Sequence, residues 1–291
     1  MSSILLTGAT GVVGRALLPR LLEAGHSVRA LVRHPRELGP NRVRVQIVLA
    51  DLADPGAFRN ALRGIDTAIH LAAATRDQPH ARVEELNGLA TARLLRSAEQ
   101  AGVERFVFFS ALGASEFQRT RFFRAKALAE RAVLDSPLQT TVFAPSLVYD
   151  PGDRWVRLVR RLALLPLLPV SGSGASRYQP IWAGDVAACV LAALEDGRSG
   201  RFELAGPETL SYAETARLIA AAAGRHRPLL RLPLPLVRSG LLALRRLAGP
   251  HVFATWEEAE LFEVPMTTPR GTEDARSLGV DPRPMAEALA Q

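Results

Sequence analysis

Near the N-terminus the chain reads TGATGVVG, and Gly8, Gly11 and Gly14 fall between an apolar run, SILLTG, and a helix-like pattern, GRALLPRLLEAG. A glycine triplet in that position has a physical purpose. Without side chains, the loop turns tightly, lets a pyrophosphate approach the backbone and lets the new helix pack on the strand, while free N–H groups at the helix start face the anion. Its place after a strand and before a helix separates such a loop from an ordinary turn. Thr7, Thr10, Val12 and Val13 belong to the same candidate phosphate-binding loop.

The rest of the first half keeps the alternation. Strand-like runs at 26–33, 44–51, 66–73, 105–111 and 139–146 are separated by helical patterns near 55–63, at 82–101 and around Lys126. Apolar strands joined by helices require right-handed crossovers and a parallel sheet. The expected fold is therefore α/β, a Rossmann-type doubly wound parallel sheet over residues 1–150. Beyond Pro151 prolines become frequent and strands short, so 151–291 reads as a smaller substrate-binding or cap region, some of it packing back on the sheet. Helices are expected there at 184–197, with Asp185 as N-cap, and at 211–224, where Ser211 and Glu214 form a capping box before Gly224.

A dinucleotide site places its next selectivity group at the end of the second strand. An NAD site carries Asp or Glu there, about twenty residues past the glycines, for the ribose hydroxyls. This chain has Arg33, with Arg36 close behind, in RALVRHPREL. These arginines suit the 2′-phosphate of NADP(H), favoured here over NAD(H), although an arginine-rich surface accounts for them too. Asp51 and Leu52 fit the adenine edge, with helix capping as the other reading of Asp51. Small Ala72, Ala73 and Ala74 leave room for the cofactor after the fourth strand.

Composition excludes several other classes. The chain has 291 residues, 48% of them hydrophobic, which supplies a large core. Its single cysteine, Cys189, sits in an apolar pattern and excludes an internal disulfide. No secretory signal or membrane span is expected, and the cytoplasm is the expected compartment. The net charge of +7 is spread along the chain and aromatics are only 6%, so anionic small molecules are expected as partners and nucleic acid is not. The six histidines lack ligand spacing, and no metal is expected. A monomer and a homodimer fit equally well.

One cation stands apart: of 36 lysines and arginines, only Lys126, in RFFRAKALAE, is a lysine. A compact ammonium with an adjustable pKa differs chemically from a permanently charged guanidinium. The residue is either a leftover on a solvated helix or part of a site. Together with TGATGVVG, ALVRHP, ADLAD, HLAAAT, FVFFSALGA, FAPSLVYDPGD and PIWAGDVAACV, the AKALAERAV segment resembles the short-chain dehydrogenase/reductase superfamily, in its atypical extended branch of NAD(P)H-binding proteins. Within that branch it is similar to the group of NmrA-like proteins and the nucleotide-binding accessory subunit of respiratory complex I. The resemblance implies that Lys126 is the active-site lysine that holds the nicotinamide ribose. It implies a tyrosine four residues earlier, where this chain has Phe122, which cannot donate a proton. It places Ser110 at the end of the fifth strand, as a pocket contact or a simple strand-end hydrogen-bonding group, and Pro145, Ser146 and Leu147 beside the nicotinamide.

Two functions follow from these readings. The first is reduction of a small apolar carbonyl, enone or quinone by hydride transfer, with Lys126, Ser110 and Tyr149 as catalytic candidates and Tyr178 as a further proton donor. The second is a sensor or accessory protein that binds NADP(H) without turnover. The segment 232–249 is read as a cap over the substrate or as a basic amphipathic helix in peripheral contact with a membrane, its apolar stripe formed by Leu234, Val237, Leu241 and Leu244.

Overall fold

A computed structural model describes residues 1–52, 54, 56–248 and 255–290. In chain order the first half comprises β1 (Ser3–Thr7), α1 (Val12–Glu23), β2 (Ser27–Val32), β3 (Gln46–Leu49), α2 (Ala57–Ala61), β4 (Thr67–His70), α3 (Ala90–Ala101), β5 (Arg105–Phe109), α4 (Arg121–Leu134) and β6 (Gln139–Pro145). The second half comprises β7 (Val148–Tyr149), α5 (Arg154–Leu162), β8 (Leu168–Ser171), β9 (Arg177–Tyr178), β10 (Ile181–Trp182), α6 (Ala183–Glu195), β11 (Gly200–Leu204), β12 (Leu210–Ser211) and α7 (Tyr212–Ala222). It ends with β13 (Leu229–Leu232), α8 (Leu234–Ala248), α9 (Trp256–Leu261), α10 (Glu273–Ser277) and α11 (Met285–Leu289).

Among the described residues, seven strands form one parallel sheet in the order β11-β6-β5-β4-β1-β2-β3. The chain winds outward from β1 first to one edge and then to the other, which opens a crevice at the carboxyl ends of β1 and β4. Within β1 the two-residue period divides the core. Ile4 and Leu6 join Leu17, Leu18 and Leu21 of α1 and Val186 and Val190 of α6, while Leu5 joins Leu94, Leu95 and Val133 of α3 and α4. Each of these fully buried aliphatic chains contributes up to roughly 1.5–3 kcal/mol.

The seventh strand, β11, and the helix α6 come from beyond Pro151, so the Rossmann layer draws on both halves of the chain. The small region has its own core, where Val156 and Val159 of α5 meet Ile219 of α7 and Met285 of α11. Ser211 caps α7 in a complete capping box with Glu214. Asp185 is not the cap expected of it. Trp182 occupies that position, and Asp185 in the first turn of α6 accepts a 2.9 Å hydrogen bond from the Arg283 N–H, tying the C-terminal segment to the sheet layer. The long helix expected over 82–101 is interrupted by a π-helical turn at Glu85–Leu89.

Candidate functional site

The glycine loop closes as its composition requires. Gly8 has φ +75°, and a Cβ there would lie 2.6 Å from the Ala72 amide nitrogen. A Cβ on Gly14 would lie 2.2 Å from the Gly8 carbonyl oxygen, so that residue lets α1 start directly against the loop. Gly11 donates to the Gly8 carbonyl at 3.0 Å and is the N-cap of α1, with no side chain over the helix start.

The loop forms one wall of a cleft of about 530 Å³, within the range of small-molecule and cofactor sites. The cleft gathers residues far apart in sequence: Gly8, Thr10, Gly11, Val12, Val13 and Gly14; Arg33 from the end of β2; Asp51 and Leu52 after β3; and Ala72, Ala73 and Ala74 after β4. Thr75, Gln78, Leu71, Leu86, Phe109, Arg154 and Glu258 are among the other lining residues. Arg33 lies 3.4 Å from the Gln78 side-chain oxygen. Arg36 is exposed on the 3₁₀ turn beyond and does not line the cleft. Asp51 does line it. Near the start of α2, Asp54 accepts from the Gly56 N–H at 2.9 Å. Pro55, where that helix was expected to begin, lies outside the described residues.

Beneath the cleft runs a buried polar chain that the sequence reading passed over. Thr7 lies 2.7 Å from Nδ1 of His70, and Nε2 of His70 lies 3.0 Å from the Thr91 hydroxyl, which donates to the Asn87 carbonyl at 2.8 Å. The Asn87 side chain, in the π turn, accepts from the Ala74 N–H at 3.1 Å and donates to the Ala74 carbonyl at 2.8 Å. Thr7 and Asn87 thus brace the alanine segment from below. On the outer side Arg121 holds Asp77 and Glu84 together, and its guanidinium keeps the Glu84 carboxyl below the usual carboxylate range. These contacts set the shape of the loop after β4.

Burial, with the nearby Lys126 charge, pushes the His70 pKa down to about 3. Between that value and its ordinary 6.5 the unfolded chain binds a proton that the folded chain refuses, so stability falls as the pH drops through this window. Comparison of urea midpoints at pH 7 and pH 4 should show the wild type losing about 3 kcal/mol more than His70→Asn. Parallel losses would remove His70 as the source.

Lys126 is not on a solvated face. It is buried on α4, where its ammonium donates to the Phe109 carbonyl at 2.5 Å and sits 4.8 Å from the Phe108 ring centre. Burial lowers its pKa to about 7, with Glu130 pulling the other way. Phe109 itself lines the cleft, which puts the lysine one residue behind the cofactor space.

The hydroxyl groups offered as catalytic candidates lie elsewhere. Ser110 donates to Glu130, which pairs with Arg201 at 2.5 Å. Tyr149 does not reach the cleft: its ring is buried in the core of the small region, its hydroxyl has no hydrogen-bond partner among the described residues, and burial raises its pKa. The Tyr149 side chain shares that core with Val156 and Val159 of α5 and Ala216 and Ile219 of α7. Tyr178 donates to the Phe262 carbonyl. Pro145 accepts from the Leu112 N–H at 2.9 Å, Ser146 donates to the Met266 carbonyl at 2.6 Å, and Leu147 packs with Phe122 and Phe123. These three residues do not line the cleft, and Ser146 joins the sheet to the C-terminal segment.

Fold and site define a dinucleotide-binding α/β protein with its crevice at the switch in strand order. A family model described as NAD(P)H-binding matches residues 8–197. The chain is 30% identical over 246 residues to the alpha subcomplex subunit 9 of mitochondrial NADH dehydrogenase from Arabidopsis thaliana, covering 80% of this chain and 60% of that protein. It is 30% identical to a ceramide reductase from Caulobacter vibrioides, covering 91% of this chain and 85% of that one. It spans only 27% of the length of uncharacterized mycobacterial relatives. In fold it is similar to the UDP-glucose 4-epimerase of Thermus thermophilus solved with NAD, at a TM-score of 0.75, 21% identity and coverage of 99% and 96% of the two chains. The chain belongs to the NAD(P)H-binding family.

Proposed function

We propose that this protein is an NADP(H)-dependent reductase of a small apolar carbonyl, enone or quinone. The observation that carries the cofactor assignment is the cleft itself. Its glycine loop leaves space where any side chain would clash, and Arg33, rather than a carboxylate, stands at the end of β2. The N–H groups at the start of α1 receive the pyrophosphate, and Arg33 receives the 2′-phosphate by charge-assisted hydrogen bonds. When bound, the reduced nicotinamide supplies a hydride. The reduction also needs one proton delivered to the acceptor. Lys126, with a pKa of about 7, holds a proton at Nζ in about half the molecules near neutrality, directly behind Phe109. Leu71, Leu86 and Phe109 give the cleft an apolar part of its lining, which favours an apolar acceptor.

NADPH should bind more tightly than NADH, and Arg33→Ala should weaken NADPH by about 1–3 kcal/mol while leaving NADH nearly unchanged. Titration of both cofactors by calorimetry measures this. Equal affinities in the unmodified protein would reject the NADP(H) assignment.

A second reading is supported by one specific feature. Phe122 stands where the superfamily's tyrosine is expected, and the hydroxyls of Ser110 and Tyr178 are bonded away from the cleft. A protein that binds NADP(H) as a sensor or accessory component needs none of those hydroxyls.

A further inference from the structure

We propose that the small region docks on an anionic lipid surface through two paired, arginine-rich segments with protruding leucines. Residues 154–170 carry four arginines and residues 225–248 carry six, and neither segment contains Asp or Glu. The fold joins the two: β8 pairs in parallel with β13, Leu168 donates to the Pro228 carbonyl at 2.9 Å, and Arg227 to the Ala163 carbonyl at 3.3 Å.

The same two segments hold exposed leucines. Leu164, Leu165 and Leu167 in the α5–β8 turn, Leu230 on β13, and Leu236 and Leu242 on α8 are each between 39% and 64% exposed. Isolated surface leucines are common, but six of them on two paired, acid-free segments make an apolar area set in positive charge. The stripe expected to touch lipid is a different one. Leu234, Val237, Leu241 and Leu244 are all half-buried, as in a helix packed on the domain, and the exposed positions of α8 include Leu236, Leu242, Arg246 and Arg238, the last lying over the Trp256 ring at 5.7 Å. Arg157 and Arg161 are exposed on α5 and Arg231 on β13. The acidic helix α9 packs against α8, where Glu258 is turned toward the cofactor cleft by its contact with Thr75.

A lipid surface suits this face for two reasons. Leucines enter the boundary between headgroups and acyl chains without a shaped pocket, and each arginine held near anionic headgroups raises partitioning roughly fivefold. Single-stranded nucleic acid would require aromatic platforms, and the one aromatic residue of the two segments, Trp155, is stacked on Phe262 at 5.6 Å. Among the described residues no helix is long and apolar enough to cross a membrane, so the contact proposed is peripheral.

The full chain should co-sediment with phosphatidylcholine vesicles that contain phosphatidylglycerol and not with pure phosphatidylcholine vesicles. Binding should be strong at about 0.01 M salt and lost at about 1 M, as the Debye length shrinks from about 30 to about 3 Å. The double variant Leu164→Glu/Leu165→Glu should reduce vesicle binding about tenfold or more with NADPH affinity unchanged, which shows that it is folded. Should that variant fail to fold, Arg157→Gln/Arg161→Gln replaces only exposed side chains and should give the same loss. Absence of binding to anionic vesicles at low salt overturns the proposal. So does a concentration-dependent dimer, or retention of a single-stranded oligonucleotide, that these substitutions abolish while vesicle binding stays absent.

Discussion

Gly14→Ala is expected to abolish cofactor binding and to destabilise the fold by about 1–3 kcal/mol, the usual cost of overpacking. The new methyl group would lie 2.2 Å from the Gly8 carbonyl oxygen and 2.7 Å from Cα of Ala9. Both are backbone atoms of the loop, so no rotamer change relieves the clash. The start of α1 must move away from β1, and the N–H groups that face the cleft move with it. Gly11→Ala separates the two effects. Its Cβ would meet only the Gly8 carbonyl, at 3.3 Å, so the fold should survive almost unchanged, while a methyl group stands at the cleft wall where the pyrophosphate must approach. Thermal unfolding together with NADPH titration should show loss of both properties in Gly14→Ala and a loss confined to affinity, about a hundredfold or ~2.7 kcal/mol, in Gly11→Ala. Wild-type affinity in Gly11→Ala would mean that the loop is only structural.

Lys126 makes the second strong prediction, because its contributions to stability and to function should have opposite signs. In the folded protein burial holds its pKa near 7, against an ordinary value of 10.5. The unfolded chain therefore binds more protons between those values, and stability rises with pH across that window; below about pH 7 the full cost of the buried charge is present. Lys126→Met removes that cost. At pH 6 the variant should be as stable as the wild type or more so, and its pH dependence between 7 and 10 should be flatter. Turnover should nevertheless fall about a hundredfold or more, the usual scale for loss of a positioned proton donor. Lys126→Arg forces a permanently charged, larger head into the same slot and should destabilise the protein by about 3–5 kcal/mol, as an uncompensated buried charge does. Denaturation curves at several pH values, run beside activity, test all of this. A Lys126→Met variant with wild-type turnover would reduce the residue to packing.

These two sites also mark what was legible in the sequence. The glycines of the loop could be read, because a positive φ and close backbone approach leave a signature in residue type, whereas Thr7, read with them, is buried beneath the cleft against His70. Lys126 stood out by being unique and by the resemblance of its segment, but its partner is a backbone carbonyl, and a carbonyl leaves no trace in residue type. His70 and Asn87 escaped notice for a related reason: a buried polar residue is recognised by its partners, and Thr7, Thr91 and Ala74 are brought to it by the fold. The π turn around Asn87 shifts the helical period at 82–101 without a glycine or proline to mark it. Composition showed where the chain leaves the sheet after β6, and elements beyond it were expected to pack back, but the spacing did not single out β11 as the strand that pairs with β6. Tyr149 lies a few residues from the cofactor-side segment in sequence, yet its side-chain direction is set by the core of the small region. On α8 the apolar stripe was visible in the spacing, whereas which of its faces meets solvent was decided by packing.

Hydride transfer is the centre of the account, and the direct measurement is NADPH oxidation, followed by loss of reduced-nicotinamide absorbance, against a panel of quinones, enones and apolar ketones, with equilibrium NADPH binding measured on the same preparation. Saturable binding is expected, with turnover of at least one apolar acceptor that Lys126→Met suppresses. Tight NADPH binding with no oxidation by any acceptor would contradict the reductase and leave the sensor in its place.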